Sequence, residues 1–483
     1  MKTVILFASL LFLPISLFSQ STQQPQLTPG TWGGELIYQN QSTEFYLDFR
    51  YDENNSLVVF SYMPVLPFPE RLVGAVIGDG SFYIAGPFHF TIKPGRELTG
   101  SFPNSPRGLR FELLPVSELP EAKEPVSSRS TAAPDWTFQT DGPIWGDATA
   151  DEEFVYIGSR DGYLYSLSQS TGDLKWKFLT GEAIFSRPLI HENHIYILSD
   201  DGTLYKLNKE NGASVWTFDT GGEEWQRKLP NDENPGWDTA ISGASVHGNI
   251  VYTGSSDGHL YAIDANSGTE KWRYKTDGPV HSIPVVEDGM VIFGSYDHHV
   301  YALNTESGEL KWKFNTGQMI VSSPVYSNGK IMIGSRSADL FALNALTGKE
   351  AWSHFHWGSW VESSGSIQDG RMYIGSSDDQ LLKSFNVDNG ELLWTTDVGG
   401  SPWTKPAVTE NSVYSGTFGN ANYRIDHRGG FFAVDRLTGE EQWRFMWEKT
   451  DGVDIYGVVS SPVTANGKVL FGGLDGKVYG FKQ

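Results

Sequence analysis

Aromatic side chains recur near one position after a series of regularly spaced tryptophans. The position is nine residues after the tryptophan, or close to it where the connection is longer or shifted. The aromatic candidates are Trp145, Phe185, Trp237, His281, Trp360, Trp403 and Tyr456. The charged candidates that accompany them are Asp147, Arg187, Asp238, Glu362 and Lys405. Such a set suits a flat organic ligand, a sugar or a peptide segment, and the alternative interpretation is packing between repeats.

Three of these charged residues are acidic and are candidates for acid–base chemistry. Asp147, Asp238 or Glu362 would serve an oxidoreductase as general base. A glycosidase would instead need two carboxylates that face each other across a cleft. The chain shows no recognisable nucleophile motif, glycine-rich phosphate loop or paired metal-ligand motif. We therefore predict binding residues and no catalytic ones.

Two clusters have the residue types of metal ligands. Residues 231–234 read Asn-Asp-Glu-Asn, which offers oxygen ligands to calcium, although a solvated acidic loop is the favoured interpretation. His298 and His299 are adjacent in a hairpin, and His281 belongs to the same repeat. No partner at a ligand-like spacing accompanies them, so we predict no metal site.

The elements that position these residues are repeats of about 40 residues. Within one unit, Tyr163, Tyr165 and Leu167 alternate as in a half-buried strand. Asp161-Gly162 precedes them as a tight hairpin turn, and a Thr-Gly or Ser-Gly turn precedes most of the tryptophans. This pattern predicts four antiparallel strands per unit. The repeated tryptophans are Trp136, Trp176, Trp216, Trp272, Trp312, Trp352, Trp394 and Trp443.

The two ends of the repeat region complement each other. Val469 to Phe481 supplies the middle strands of a unit without a tryptophan strand, and Trp136 begins a tryptophan strand without a preceding unit. Joining them completes an eighth sheet and removes two free edges. We predict an all-β, eight-bladed β-propeller over residues 134–483, closed by strands from both ends.

The repeat resembles that of the quinoprotein, or PQQ-like, β-propeller family, which reads roughly G-S-x-D-G-x-L-Y-A-L-D followed by T-G and W. Members include PQQ-dependent dehydrogenases and the outer-membrane assembly scaffold that binds barrel-insertion machinery. The resemblance implies the fold, and function does not follow from fold alone. Family dehydrogenases commonly hold the quinone under a disulfide, whereas this chain has no cysteine.

The residues before the propeller divide into three predicted parts. Residues 1–19 have the apolar run of a cleaved signal peptide, residues 28–115 read as a small antiparallel β domain, and residues 116–133 read as a linker. We therefore expect an exported protein, periplasmic or secreted, with no transmembrane segment and no cysteine for lipid attachment.

The charge of the chain limits its partners. The formal net charge is −22, and no cluster of lysine and arginine is present, so nucleic acid is an unsuitable partner. We expect a monomer that binds a protein or a glycan.

Two insertions break the repeat length, one at 221–242 and one at 417–430. If the innermost strand comes first in each blade, both insertions lie on the face that carries the inter-blade crossings and the central hairpins. We favour a non-catalytic binding or scaffold protein that uses this face. The alternatives are a PQQ- and calcium-dependent oxidoreductase and a glycan-binding or glycan-active protein.

Overall fold

Alternating apolar and polar residues produce strands along the whole described chain. The computed structural model describes residues 30–39, 41–51, 57–62, 70–76, 82–85, 90–93, 98–101, 110–117, 126–221, 238, 242–357, 359–420, 427–449 and 454–483. Within them, no helix has the length and apolar character needed to cross a membrane. The chain divides into two compact units between Glu121 and Ala122. The predicted signal peptide, residues 1–19, lies outside the described residues.

The first unit is a sheet of eight antiparallel strands that closes on itself. Its strands are β1 (Gly30–Tyr38), β2 (Gln41–Tyr51), β3 (Leu57–Tyr62), β4 (Glu70–Val76), β5 (Phe82–Ala85), β6 (Phe90–Lys93), β7 (Leu98–Ser101) and β8 (Arg110–Val116). Closure follows because β1 pairs with both β2 and β8. Phe45, Leu47 and Phe49 alternate along β2 and are buried, with the ring of Phe45 centred 5.5 Å from that of Phe111. Closure of the predicted β domain was not foreseen from the sequence.

The second unit begins with β9 and four four-stranded sheets, which we call blades 1 to 4. β9 is Trp136–Gln139. Blade 1 is β10 (Thr149–Ala150), β11 (Phe154–Gly158), β12 (Tyr163–Ser168) and β13 (Leu174–Leu179). Blade 2 is β14 (Leu189–His191), β15 (His194–Leu198), β16 (Thr203–Asn208) and β17 (Ser214–Asp219). Blade 3 is β18 (Ala244–His247), β19 (Ile250–Gly254), β20 (His259–Asp264) and β21 (Glu270–Lys275). Blade 4 is β22 (Val285–Glu287), β23 (Met290–Gly294), β24 (His299–Asn304) and β25 (Leu310–Asn315).

Four further sheets, blades 5 to 8, complete the unit. Blade 5 is β26 (Val325–Ser327), β27 (Lys330–Gly334), β28 (Asp339–Asn344) and β29 (Glu350–Phe355). Blade 6 is β30 (Ser366–Gln368), β31 (Arg371–Gly375), β32 (Leu381–Asn386) and β33 (Leu392–Asp397). Blade 7 is β34 (Ala407–Val408), β35 (Ser412–Asn420), β36 (Gly430–Asp435) and β37 (Glu441–Met446), with β38 (Ile455–Gly457) paired to β35. Blade 8 is β39 (Val463–Ala465), β40 (Lys468–Gly472) and β41 (Lys477–Lys482), with β9 as its outer strand.

Strands from both ends of the second unit complete blade 8, as predicted. β9 pairs with β41 in antiparallel register, with Gly480 opposite Trp136. The innermost strand of each blade contacts that of the next, and β39 of blade 8 contacts β10 of blade 1. In the described part of this unit the eight sheets therefore form a ring, and the β-propeller prediction is confirmed.

Each motif tryptophan couples its blade to the following blade. In seven of the described blades, the indole Nε1 donates to a backbone carbonyl of the next blade at 2.9–3.2 Å. The pairs are Trp136–Gln169, Trp176–Lys209, Trp216–Ala265, Trp272–Thr305, Trp312–Ala345, Trp352–Val387 and Trp394–Arg436. In the remaining contact, Trp443 stacks on Phe481 with ring centroids 5.4 Å apart.

The turn glycine of the next blade lies against the indole. Gly348 has φ +67°, and a Cβ built on it would lie 2.5 Å from the Trp312 ring. Both the backbone conformation and the close approach therefore require glycine at this turn.

Part of the predicted linker follows the outer edge of blade 7. The amides of Thr131 and Ala132 donate to the Arg444 carbonyl at 2.8 and 3.1 Å, and the Arg444 amide donates to Thr131 Oγ1 at 2.9 Å. The Met446 amide donates to Ser130 Oγ at 2.9 Å. The segment thus occupies polar groups that an edge strand would otherwise present to solvent.

We predict that Trp312→Ala lowers the free energy of unfolding by about 3–5 kcal/mol, because it removes a buried ring and leaves a cavity. Gly348→Ala should cost about 1–3 kcal/mol in the native background and clearly less in the Trp312→Ala background, where the clash is gone. Chemical denaturation of the four proteins measures both effects.

The control is Gly329→Ala, because Gly329 has φ +73° and open space around a built Cβ. Gly329→Ala should lower stability through the positive φ alone, because no tryptophan ring lies against this position. Equal losses for the two alanine variants, or additivity of Gly348→Ala with Trp312→Ala, would contradict the packing explanation.

Candidate functional site

A cavity of about 630 Å³ occupies the centre of the propeller ring. It is lined by the innermost strands of several blades and by the residues that lead into those strands. We call it the channel cavity. The predicted site residues that line it are Asp147, Arg187, Glu362, Trp403 and Lys405.

A belt of hydrogen bonds joins neighbouring blades at the entrance to the innermost strands. The amide of Ile283 donates to Ser323 Oγ at 2.8 Å, and the amide of Ser323 donates to Ser364 Oγ at 2.8 Å. In the same way the amide of Lys405 donates to Ser461 Oγ at 2.8 Å. The belt holds these residues, and the side chains beside them, at fixed positions around the channel.

Asp147 connects the last blade to the first in this belt. The amide of Ser461 donates to Asp147 Oδ1 at 2.7 Å. Burial raises the pKa of Asp147 above its usual value, and the positive charges of Arg187 and Lys405 act in the opposite direction. The carboxylate therefore has a structural role at the point where the ring closes.

Lys405 is a second charged group beside Asp147. Burial, and then repulsion from Arg187, lowers the pKa of Lys405 to about 8, against the attraction of Asp147. At the level of the belt, two cationic side chains thus face one carboxylate. This arrangement favours an anionic or carbonyl-bearing group in the channel.

The aromatic candidates next to the channel are largely packed against one another. Trp145 and Phe185 are 0% and 3% exposed and belong to a buried cluster with Phe418. Trp403 stacks on Phe418 with centroids 4.6 Å apart and also lines the channel cavity. Trp403 is therefore the aromatic candidate in this cluster that can contact a ligand without rearrangement.

Glu362 and Trp360 share one cationic partner. Arg336 Nε donates to Glu362 Oε1 at 2.6 Å, and the Arg336 guanidinium lies 4.7 Å from the centre of the Trp360 ring. The exposed fractions of the Arg336 and Glu362 side chains are 7% and 3%. In this buried ion pair, Arg336 compensates the negative charge of Glu362.

Asp238 and His281 lie in a separate cluster and are not among the residues lining the channel cavity. His281 Nδ1 is 3.2 Å from Asp238 Oδ1, and His281 Nε2 is 2.8 Å from Ser256 Oγ. Tyr296 also donates to Asp238. Trp237 lies outside the described residues, as do residues 231–234.

The second insertion pairs with an inter-blade crossing. Phe418 and Asn420 of β35 lie opposite Gly457 and Ile455 of β38, and the Tyr456 hydroxyl donates to the His427 carbonyl at 3.3 Å. The hairpin of blade 7 and the crossing to blade 8 therefore share one face, which we call the crossing face. Residues 421–426 lie outside the described residues.

One buried polar cluster was missed by the sequence reasoning. Lys383 occupies the repeat position of Tyr165 and forms a buried ion pair with Asp379. Lys383 Nζ also lies 3.0 Å from His356 Nδ1. Burial, followed by the charge of Lys383, lowers the pKa of His356 well below its usual value. A lysine in place of the repeat tyrosine was the signal for this cluster.

No metal site is visible in the part of the chain that the structure describes. These residues contain no group of three or more His, Asp or Glu side chains arranged to hold a metal ion. His298 takes a positive φ of 77° at the hairpin position that is glycine in blades 1 to 3.

Comparison with known proteins identifies a family whose model covers the propeller. A family model described as outer membrane protein assembly factor BamB matches residues 127–229, 218–359 and 356–483. This chain belongs to that family. The PQQ-like propeller resemblance drawn from the repeats is thereby confirmed. A comparison with curated proteins found no match.

Three solved structures illustrate the relationship of this BamB-family chain to other propellers. BamB from Moraxella catarrhalis is 19% identical, with TM-score 0.55, covering 73% of this chain and 97% of that one. The computationally designed Ika8 protein is 18% identical, with TM-score 0.57, covering 71% and 98%. A europium-containing methanol dehydrogenase is 12% identical, with TM-score 0.55, covering 71% and 85%. These similarities establish the shared fold.

We predict that Lys405 makes stability depend on pH. Its pKa in the folded protein, about 8, is below the ordinary lysine value of 10.5. The unfolded chain therefore binds more protons between these values, and stability from this group rises with pH. From pH 8 to 10.5, the native protein should gain up to about 3 kcal/mol relative to Lys405→Met.

Chemical denaturation at four pH values across this range provides the measurement. Lys349→Met is the matched control, because Lys349 is exposed on an outer turn. A stability difference between native protein and Lys405→Met that stays constant over the range would contradict the buried-lysine interpretation.

Proposed function

We propose that this protein is an exported scaffold of the outer-membrane assembly type, which binds a protein partner through the crossing face and the channel cavity. The observation that carries the proposal is the family match along the whole propeller, residues 127–483. A scaffold of this kind needs binding and no catalysis at the channel.

The chemistry of the channel entrance supports a peptide segment with an acidic or carbonyl-rich stretch as the bound element. Arg187 and Lys405 offer two cationic donors beside Asp147, and Glu362 is already paired with Arg336. Trp403 offers an apolar ring next to them. Tryptophan and arginine are the residue types that most often dominate binding energy at protein interfaces.

The location proposed for this function is outside the cytoplasm, in the periplasm or beyond. It rests on the signal-peptide pattern of residues 1–19 and on the family to which the propeller belongs. We further propose that residues 28–115 act as an accessory domain and that the protein works as a monomer.

A quinone cofactor with calcium does not fit the described residues. Calcium takes six to eight oxygen ligands, whereas the three candidate carboxylates are each engaged elsewhere. Asp147 accepts from the Ser461 amide, Asp238 from Tyr296, and Glu362 from Arg336. The described residues also contain no group of three or more His, Asp or Glu side chains that could hold a metal ion, so no redox step is assigned to the channel.

We predict that Arg187→Ala combined with Trp403→Ala reduces partner capture at least tenfold. The two substitutions remove the cation and the ring that line the channel entrance. The immobilised full chain is incubated with solubilised outer membranes, and the recovery of outer-membrane assembly proteins is quantified by mass spectrometry.

The matched control is Leu346→Ala with Lys349→Ala, a pair on an outer turn where Leu346 is 64% exposed. It should capture like the native chain. Arg187→Ala alone tests the site if the Trp403 change perturbs folding. Undiminished capture by both Arg187 variants would place the interface elsewhere.

We also predict that PQQ with Ca²⁺ produces no shift in the thermal unfolding of the purified chain. The same assay with a panel of glycans tests the sugar-binding alternative. Saturable stabilisation by the quinone would overturn our assignment of the channel, and saturable stabilisation by one glycan would favour a carbohydrate partner.

A further inference from the structure

Four polar side chains from neighbouring blades and crossings contact one another next to the central hairpin of blade 3. They are Ser256, His281, Asp238 and Tyr296. Ser256 Oγ lies 2.8 Å from His281 Nε2, and His281 Nδ1 lies 3.2 Å from Asp238 Oδ1. The Tyr296 hydroxyl donates to the same carboxylate oxygen. A hydroxyl, an imidazole and a carboxylate in this order form the arrangement that activates a serine nucleophile.

The hydrogen-bond partners determine the proton positions in this cluster. An ionised carboxylate only accepts, so His281 Nδ1 carries the ring proton and donates a hydrogen bond to Asp238 Oδ1, with the Tyr296 hydroxyl oxygen 3.3 Å from the same nitrogen. In the neutral imidazole, Nε2 then has a free lone pair and accepts from the Ser256 hydroxyl. This tautomer is the one that a general base needs.

Burial distinguishes the supporting groups from the hydroxyl. His281 and Asp238 are 1% and 2% exposed, whereas Ser256 is only partly buried. Ser256 lines an open surface cleft of about 360 Å³ together with Lys275 and Pro279. The base and the carboxylate are therefore fixed by the protein interior. The residue that carries the hydroxyl lines this cleft and also, together with His281, a small enclosed pocket of about 10 Å³.

Two charges bear on proton transfer to the imidazole. The cation of Arg336 acts on Asp238 and Tyr296, and its ion pair with Glu362 offsets that charge. The Asp238 carboxylate then stands beside His281 and attracts an imidazolium formed when Ser256 gives up its proton. This attraction is strong because both groups are shielded from water.

The serine–histidine pairing is a property of blade 3 and not of the repeat. The residues equivalent to Ser256 are Arg160 in blade 1 and Tyr296 in blade 4. Gly254 to Gly258 reads G-x-S-x-G, but the repeat supplies a glycine at both ends in several blades. The pentapeptide alone is thus uninformative, and the geometry is what distinguishes Ser256.

We propose that Ser256 is a nucleophile activated by His281, with Asp238 as the positioning residue, and that it reacts with small activated esters entering this cleft. Ser256 Oγ attacks the carbonyl carbon while His281 Nε2 takes its proton. The alcohol leaves with that proton, and an acyl-serine remains. Water then attacks, His281 takes a proton from it and returns it to Ser256 Oγ, and the carboxylic acid is released.

A fluorophosphonate probe tests the nucleophile directly, because Ser256 Oγ would displace fluoride at phosphorus. With the full chain we expect one adduct, mapped by mass spectrometry to Ser256 and absent in Ser256→Ala. His281→Gln and Asp238→Asn should slow labelling at least tenfold. The labelling rate should rise with pH and then reach a plateau, as general-base activation requires.

The matched control is Ser377→Ala, since Ser377 lies in the hairpin of blade 6 and its hydroxyl donates to Asp378. We also expect the native chain to hydrolyse the activated ester p-nitrophenyl acetate slowly. Ser377→Ala should leave both this hydrolysis and the labelling unchanged. Thermal unfolding checks that each variant folds. If a variant does not fold, the residue that carries the adduct on the native chain tests the proposal instead. An unlabelled native chain, an adduct at another residue, or a rate unaffected by folded His281→Gln would overturn the proposal.

Discussion

The contact between each motif tryptophan and the next blade is the constraint on which the rest of the propeller depends. In the Trp312 contact, an indole bonded to the Ala345 carbonyl lies flat against Gly348, so the separation of two neighbouring sheets is set by a ring thickness and a hydrogen bond. Repetition of this contact around the unit leaves little freedom in the angle between sheets. The diameter of the channel and the positions of the side chains that line it follow from that geometry.

One position of the repeat differs in chemistry from blade to blade, because the contact between the tryptophan and the next blade does not constrain it. The residue before the position of the hairpin aspartate, which is Ser337 in blade 5, contacts a residue nine or ten positions after the motif tryptophan. The partners differ from one blade to another. The contacts are Arg160 over Phe185, Ser256 with His281, Tyr296 against Val321, and Arg336 with Glu362. One structural position thus provides packing, an activated hydroxyl or an ion pair, while the frame around it stays the same.

The fold was accessible from the sequence because turns, alternation and tryptophans repeat in register, and because the incomplete units at both ends complement each other. The site was less accessible. Counting nine residues from Trp352 reaches Val361, and the neighbouring aromatic Trp360 was selected. The crossing is one residue longer there, so Glu362 occupies the position of His281, before a serine that caps the second strand. Counting also cannot tell a buried ring such as Trp145 from a cavity-lining one such as Trp403, because that depends on neighbours distant in sequence.

The pairing of β9 with β41 has a consequence for how the chain is made. β9 leaves the ribosome before every other strand of the propeller, and its partner Lys477–Lys482 leaves after all the others. Until those final residues emerge, blade 8 lacks its inner strands and the incomplete ring has an unpaired edge at each side. During synthesis, the growing propeller therefore depends on protection against aggregation for almost its full length. A truncation that removes β41 would leave every copy in that vulnerable state.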